Sequence, residues 1–255
     1  MQHKGVSMYD HSAFDLTKFS CCEILLQFDV GECEISILSF KSKMEQALAL
    51  GDVEGVAAAL ERNKIFATRK IPDGRGDRQS PLHVACQLGS LEIVKLLLAN
   101  GADGDLTSID SRVRMPLHCA VESQSAPLVK FLLNEAISEK HVRIMLQQTT
   151  LKGQNLFHIA AGIELPNVLA LLLAKLPKDN PEFCSFHLNV IQKSCGMTPL
   201  MIAASAGHEA DAAILLAAKA DADIRRHSGA GSGGEGQTAL IISSMEGHAG
   251  IVELL

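Results

Sequence analysis

Tryptophan is absent from these 255 residues, tyrosine occurs once, and aromatic residues make up only 4% of the sequence. A β-sandwich or barrel filled by aromatic strand residues is therefore disfavoured, and the 47% hydrophobic content fits Leu- and Ala-rich helix packing better. No charged and then apolar leader opens the chain. Apolar runs such as Val168 to Leu173 are far too short to span a bilayer, so no membrane insertion is expected. No Asn-x-Ser/Thr sequon occurs either. Clusters of Lys and Arg are missing, and the formal net charge of −6 disfavours nucleic acid as the main ligand and suits a basic peptide better. The seven cysteines are an odd number and scattered. Cys21, Cys22 and Cys33 have no paired spacing, while Cys86 and Cys119 stand where small packing residues belong. That usage indicates a reduced chain of the cytoplasm or nucleus.

What is present is a recurring unit. Its clearest copy is Ser80 to Asp103, SPLHVACQLGSLEIVKLLLANGAD. Pro81 suits the first turn of a helix, Leu82, Val84 and Ala85 begin an apolar stripe, and Gly89 stops it. Leu91, Val94, Leu96, Leu97 and Leu98 then recur at the spacing of an amphipathic second helix, which Asn100-Gly101 ends with an αL-tolerant pair. Ala85 and Cys86 let the two helices approach closely. Neither helix alone buries its apolar side, so the unit needs neighbours of the same kind.

SPLHVACxxGxxxIVKLLLxxGAD resembles the ankyrin repeat, whose pattern runs TPLHxAAxxGHxxIVxLLLxxGAD. The resemblance covers residues 43 to 255 and implies an all-α ankyrin-repeat solenoid of stacked helix-turn-helix units with long finger loops. Further copies are MPLHCAVESQSAPLVKFLLNEA, NLFHIAAGIELPNVLALLLAKL, TPLMIAASAGHEADAAILLAAKADAD and TALIISSMEGHAGIVELL. MEQALALGDVEGVAAALERN, with Gly51 at the interhelix glycine, reads as an N-terminal capping unit. About six units are expected near 43–70, 78–105, 113–136, 153–176, 196–223 and 236–255, the last incomplete. Gln124 and Glu164 stand at the glycine position of the third and fourth.

The equivalent residues Leu82, Leu117, Phe157, Leu200 and Leu240 are separated by 35, 40, 43 and 40 residues, against about 33 in the family. The extra residues belong in the loops, where Ser138 to Gln148 has room for another helical turn or two. Residues 1–41 do not match the unit and are read as an N-terminal extension, either a short hairpin or disordered. At the other end Ile251, Val252, Leu254 and Leu255 have no following unit to face, which suggests a fragment of a longer protein or an end that frays.

His83, His118 and His158 recur at one position, but stacked helices lie about 8 to 10 Å apart, whereas a zinc ion sits about 2 Å from each nitrogen. Met201 and Ile241 take the place later, so no metal is expected. The resemblance implies instead that this histidine bonds neighbouring backbone and steadies the finger. Gly229 to Gly234, GAGSGG, lacks the strand, helix and acid of a dinucleotide site and reads as a flexible linker, with no cofactor implied. Arg225-Arg226-His227-Ser228 resembles a basophilic kinase target and makes Ser228 a candidate phosphorylation site. Arg75-Gly76-Asp77 is a chance match to an integrin motif. No nucleophile and base converge, so no enzyme activity is expected.

In ankyrin proteins the partner lies against the finger tips and the exposed, concave face of the first helices. Carried over by position, the variable residues are Gln87 and Leu88, Glu122 and Ser123, Gly162 and Ile163, Ser205 and Ala206, and Met245 and Glu246. Leu88, Ile163 and Met245 with Glu122 and Glu246 form either a strip for an apolar and basic peptide or helix, or side chains packed into adjacent units. Arg75, Asp77, Arg78, Asp110, Arg112, Arg114 and Lys152 are expected at the loop tips, with charge of both signs. The resemblance thus implies a non-catalytic protein-protein interaction module, a scaffold or adaptor. The alternative is a regulatory segment of a larger enzyme or ion channel, or an IkappaB-like transcription-factor inhibitor, although the DSGxxS degron of such inhibitors is missing.

Overall fold

Each apolar stretch is broken after about two turns by a residue with left-handed backbone, so it folds as a pair of short helices. The computed structural model describes residues 43–72, 78–136, 139–177, 180–227 and 235–255. The chain runs through α1 (43–50), α2 (Val53–Arg62), α3 (Pro81–Gln87), α4 (Leu91–Ala99), α5 (Pro116–Glu122) and α6 (Ala126–Phe131). It continues through α7 (Glu139–Gln147), α8 (Leu156–Gly162), α9 (Pro166–Ala174), α10 (Pro181–Leu188), α11 (Pro199–Ala206), α12 (Glu209–Ala217), α13 (Ala239–Glu246) and α14 (Ala249–Leu254). Pro81, Pro116, Pro166 and Pro199 open their helices, where a missing N–H costs nothing. Side chains of Ser90, Asn155, Thr198 and Thr238 accept from the backbone N–H three residues on, capping the starts of α4, α8, α11 and α13.

The turn inside each pair falls on Gly51, Gly89, Gln124, Glu164, Gly207 or Gly247, all with positive φ. Gln124 (φ 61°) and Glu164 (φ 52°) therefore occupy the glycine place, and the shared register of the units is fixed through them. A side chain in this region costs about 1 to 3 kcal/mol. Glu164→Gly is accordingly expected to stabilise the protein by about 1 kcal/mol, after allowance for the looser unfolded chain. A denaturation midpoint that falls instead would show that the glutamate side chain holds the turn.

The pairs stack in two rows, α3–α5–α8–α11–α13 and α2–α4–α6–α9–α12–α14. The molecule is an all-α solenoid whose core runs continuously along the stack. Leu82, Leu117, Phe157 and Leu200 form one fully buried column, and Leu97, Leu132, Leu172 and Leu215 another. A third column, Ile93, Leu128, Val168, Asp211 and Ile251, is equally buried but holds one carboxylate.

Several elements depart from the sequence reading. The loop around Ser138 holds α7, the further helical turns for which the sequence has room, whereas α10 lies in what reads as plain loop. A turn of 3-10 helix, Lys64–Ala67, and a two-residue antiparallel pair, Ile71–Pro72 with Arg78–Gln79, follow α2. Ile251 does not face solvent: it is fully buried, because α14 packs on α12. Leu240 and Leu254 remain exposed. The 1–41 extension, Arg75-Gly76-Asp77, Gly229 to Gly234 and Ser228 lie outside the described residues.

Candidate protein-binding face

The fingers lead into α5, α8, α11 and α13. Each is closed by a backbone bond across its base: Asp110 N–H to the Arg114 carbonyl (3.0 Å), Thr150 to Gln154 (2.8 Å), Gln192 to Met197 (2.8 Å) and Arg226 to Gln237 (2.7 Å). The buried histidines tie each finger to the unit before it. His83 Nε2 donates to the Arg114 carbonyl at 3.0 Å, His118 to Gln148 at 3.3 Å and His158 to Met197 at 3.2 Å. A ring that donates from Nε2 accepts at Nδ1, and the Ser80 hydroxyl (2.8 Å) and the Met115 and Asn155 N–H groups (3.3 and 3.2 Å) donate there. Burial lowers all three rings and holds His118 and His158 at about 4, so they are neutral links at pH 7.

Where Met201 and Ile241 replace that histidine, another takes over. His208 Nδ1 donates back to the Ala161 carbonyl at 2.8 Å, and His248 Nε2 to Ser205 at 3.3 Å. These bonds hold the ends of α8 and α11, next to the positions assigned to binding.

The charged tips differ from the expectation. Asp110 and Arg114 are buried, not displayed. The Arg114 guanidinium donates from Nε to Asp110 Oδ2 (2.9 Å) and from Nη1 to Glu122 (2.5 Å), while Asp110 Oδ1 accepts the N–H groups of Arg112 and Arg114. Burial would raise the Asp110 carboxyl, but these N–H groups and the guanidinium outweigh it and hold it below the usual carboxylate range. The finger turns back on itself through Val113, a β-branched residue at φ 59°, which brings Arg114 over its own Asp110. Glu122 is consequently an internal partner of Arg114 rather than a free acid.

The ten positions assigned to binding separate into three groups. Gln87, Leu88, Gly162, Ala206, Met245, Glu122 and Glu246 are exposed, with Leu88 at 44% and Met245 at 69%. Gln87 donates to Gln79, and Gln237 Nε2 lies 3.0 Å from Met245 Sδ, so both sit against finger bases. Ser123 and Ser205 are half-buried, and the Ser123 hydroxyl donates to the Ala120 carbonyl. Ile163 packs on the core. The turn there is opened, with φ −125° against −74° at Leu88, and the side chain is carried inward with it.

Sequence reasoning passed over Leu151 and Lys193, both exposed on fingers. The signal was available, since Gly153 and Gly196 mark the turns beside them. Cys86 and Cys119 are fully buried. Burial pushes both thiols up, Cys119 to about 12, so neither is a nucleophile at neutral pH. No group of His, Cys, Asp and Glu among the described residues is arranged to hold a metal ion.

A family profile described as ankyrin repeats (3 copies) matches residues 44–144 and 157–255. The chain belongs to the ankyrin repeat family. Ankyrin repeats mediate protein-protein interaction, and the finger and first-helix geometry above is that of an ankyrin array. The array is 32% identical over 133 residues, 52% of this chain and 13% of the relative, to the nuclear factor NF-kappa-B p105 subunit of Gallus gallus. It is 30% identical over 163 residues, 62% of each chain, to the probable 26S proteasome regulatory subunit p28 of Saccharomyces cerevisiae. A third match, 26% over 168 residues, is to the target of rapamycin complex 2 subunit AVO2 of the same yeast, with 64% of this chain and 36% of the relative aligned. The ankyrin array thus spans less than two thirds of each relative. No helix among the described residues is long and apolar enough to cross a membrane.

Proposed function

We propose that the protein is a non-catalytic ankyrin scaffold or adaptor of the cytoplasm or nucleus, which binds a partner protein on the face made by α3, α5, α8, α11, α13 and their fingers. The observation that carries this reading is the exposure of Leu88 and Met245 at equivalent ends of α3 and α13. Leu88 ends α3, whose His83 is tied to the next finger, and Met245 lies on α13, whose start Thr238 caps, so little ordering entropy is lost on docking. Glu246 lies exposed beside Met245, and an apolar and basic helix or peptide suits that end of the face. The names of two relatives, a proteasome regulatory subunit and a subunit of target of rapamycin complex 2, support a role as one component of a larger assembly. The 13% coverage of p105 favours a second reading, in which the array is the regulatory segment of a longer chain.

The test is capture of a partner from native lysate by the parent chain, by Leu88→Arg/Met245→Arg, and by Lys130→Glu on the opposite row of helices. Ile163 is left alone because its change would disturb packing. The partner is expected with the parent and with Lys130→Glu and lost with the double variant at unchanged helicity. Capture that survives the double variant and disappears with Lys130→Glu would move the site to the second helices.

A further inference from the structure

The fingers before α5, α8, α11 and α13 touch one another through their backbones. The Leu151 N–H donates to the Arg112 carbonyl at 2.9 Å, and the His227 N–H to Gly196 at 3.2 Å. The Arg226 guanidinium reinforces the last junction, with Nε donating to the Cys195 carbonyl at 2.9 Å. Between these two junctions, a Cβ on Gly153 would lie 2.8 Å from the Lys193 nitrogen, so the middle fingers are also in backbone contact. Four fingers therefore form one continuous ridge.

Every finger of that ridge carries an exposed cation: Arg112, Lys152, Lys193 and Arg225. None of the four forms an ion pair among the described residues. The acids at the base of the first finger, Asp110 and Glu122, are both held by Arg114. Three exposed acids, Asp221, Asp223 and Glu235, lie on the last finger near Arg225 in the chain. In a protein of net charge −6, exposed positive charge on the ridge is thus concentrated in Arg112, Lys152 and Lys193 of the first three fingers, while the last balances Arg225 with acids. Leu151, 72% exposed, and Ile191, 40% exposed, lie on the two middle fingers, beside Lys152 and near Lys193 in the chain. Scattered exposed apolar residues are ordinary, but here two of them share fingers with exposed cations.

We propose that this ridge binds an extended segment of a partner protein that carries a carboxylate at every third residue with apolar residues between. The spacing follows from the stack. Neighbouring helices, and hence neighbouring fingers, lie about 8 to 10 Å apart, and three residues of an extended or polyproline chain span about 9 to 10 Å. A carboxylate at each third position then meets one cation per finger, while the intervening side chains reach Leu151 and Ile191. Charge complementarity selects an acidic segment, and the apolar residues select a peptide over a phosphate backbone. The inference rests on the reading of the chain as a protein-recognition module and adds the chemistry of the partner. It also gives the two surfaces opposite preferences, basic for the end near Glu246 and acidic for the fingers, which fixes the direction in which a partner lies.

The experiment is fluorescence anisotropy with the full chain and a labelled peptide of four Glu-Leu-Pro triplets, in which proline keeps the peptide extended. The comparison peptides are four Lys-Leu-Pro triplets and a block version with the same composition but the glutamates together. The comparison protein is Lys152→Glu/Lys193→Glu, whose substitutions fall on exposed tips and leave the melting temperature unchanged. The parent is expected to bind the glutamate triplets about tenfold tighter than either other peptide, to lose about tenfold in the double variant, and to weaken as salt is raised. Equal binding by parent and double variant, or no binding by the parent, overturns the inference. Block and triplet peptides bound alike overturn the every-third-residue register. Tighter binding of a single-stranded oligothymidylate of matched charge assigns the ridge to nucleic acid instead. Retention of a lysate partner lost only in Leu88→Arg/Met245→Arg, with no binding of the acidic peptide, leaves the recognition module standing and removes the ridge from it.

Discussion

Asp211→Val is expected to stabilise the protein by about 4 kcal/mol at pH 7 and by only about 1 kcal/mol below pH 4. Asp211 shares a column with Ile93, Leu128, Val168 and Ile251, all fully buried, and neither of its carboxylate oxygens has a hydrogen-bond partner. Burial pushes its carboxyl up to about 6, against the weaker pull of the His208 ring and the Leu165 backbone. The folded state thus holds a proton that the unfolded chain, with an ordinary value of 3.8, has already released. Stability from this residue falls as pH rises from about 4 to about 6 and stays reduced above. The rise from 3.8 to about 6, at about 1.36 kcal/mol for each pH unit, accounts for most of the gain at pH 7. The residual gain in acid is the cost of a buried neutral carboxyl.

The histidines act in the opposite sense. His118 and His158 are held at about 4 in the folded chain against 6.5 when unfolded, so the unfolded state takes the proton first. Stability from them is lost as pH drops from about 6.5 towards 4. The parent profile is the sum of both effects, and the difference between variant and parent isolates Asp211. Urea midpoints at pH 4 and pH 7 measure it. A gain that is the same at both values would mean that Asp211 is solvated or paired in the folded protein.

Phe157→Ala is expected to cost about 3 to 5 kcal/mol, and its effect should be local in space. Phe157 is fully buried on α8, in a column otherwise made of leucines, and α8 packs on both α5 and α11. Truncation opens a cavity at two interfaces in the middle of a stack whose units contact only their neighbours. Hydrogen exchange should accelerate first in α8, α9, α5 and α11, and unfolding should cease to be a single transition. Phe157→Leu, which restores the column, should cost about 1 kcal/mol. A sharp single transition with uniform loss of protection would contradict a quasi-linear array.

Much of this was legible in the amino-acid order because its determinants are local. Proline at a helix start, an αL residue between two apolar stripes and a small residue at the close approach each act within a few positions, so the pairs α3–α4 and α11–α12 can be read directly. Gln124 and Glu164 are legible only by register, since neither residue type favours positive φ. Helix α10 was not legible: Phe186 on it is exposed while His187 and Leu188 are buried, and its pattern matches no other unit. The pairing of Arg114 with Asp110 and Glu122 depends on a finger that doubles back through Val113, and no helical or strand spacing reports it. With Asp110 and Arg114 internal, Arg112 and Lys152 are the charges of that set left exposed on the described fingers. Of the two readings left open at the first-helix ends, Leu88 and Met245 follow the exposed one, whereas a change of backbone angle at Ile163 turns an equivalent residue into core.

The central claim, recognition of a protein by the first helices and fingers, is tested most directly by site-specific photocrosslinking in native lysate. A benzophenone side chain is placed in turn at Met245, at Lys152 and at Lys130, each exposed in the folded chain. One partner band, crosslinked from Met245 and Lys152 and absent from Lys130, is the expected result. The same band crosslinked from Lys130 alone would contradict the account.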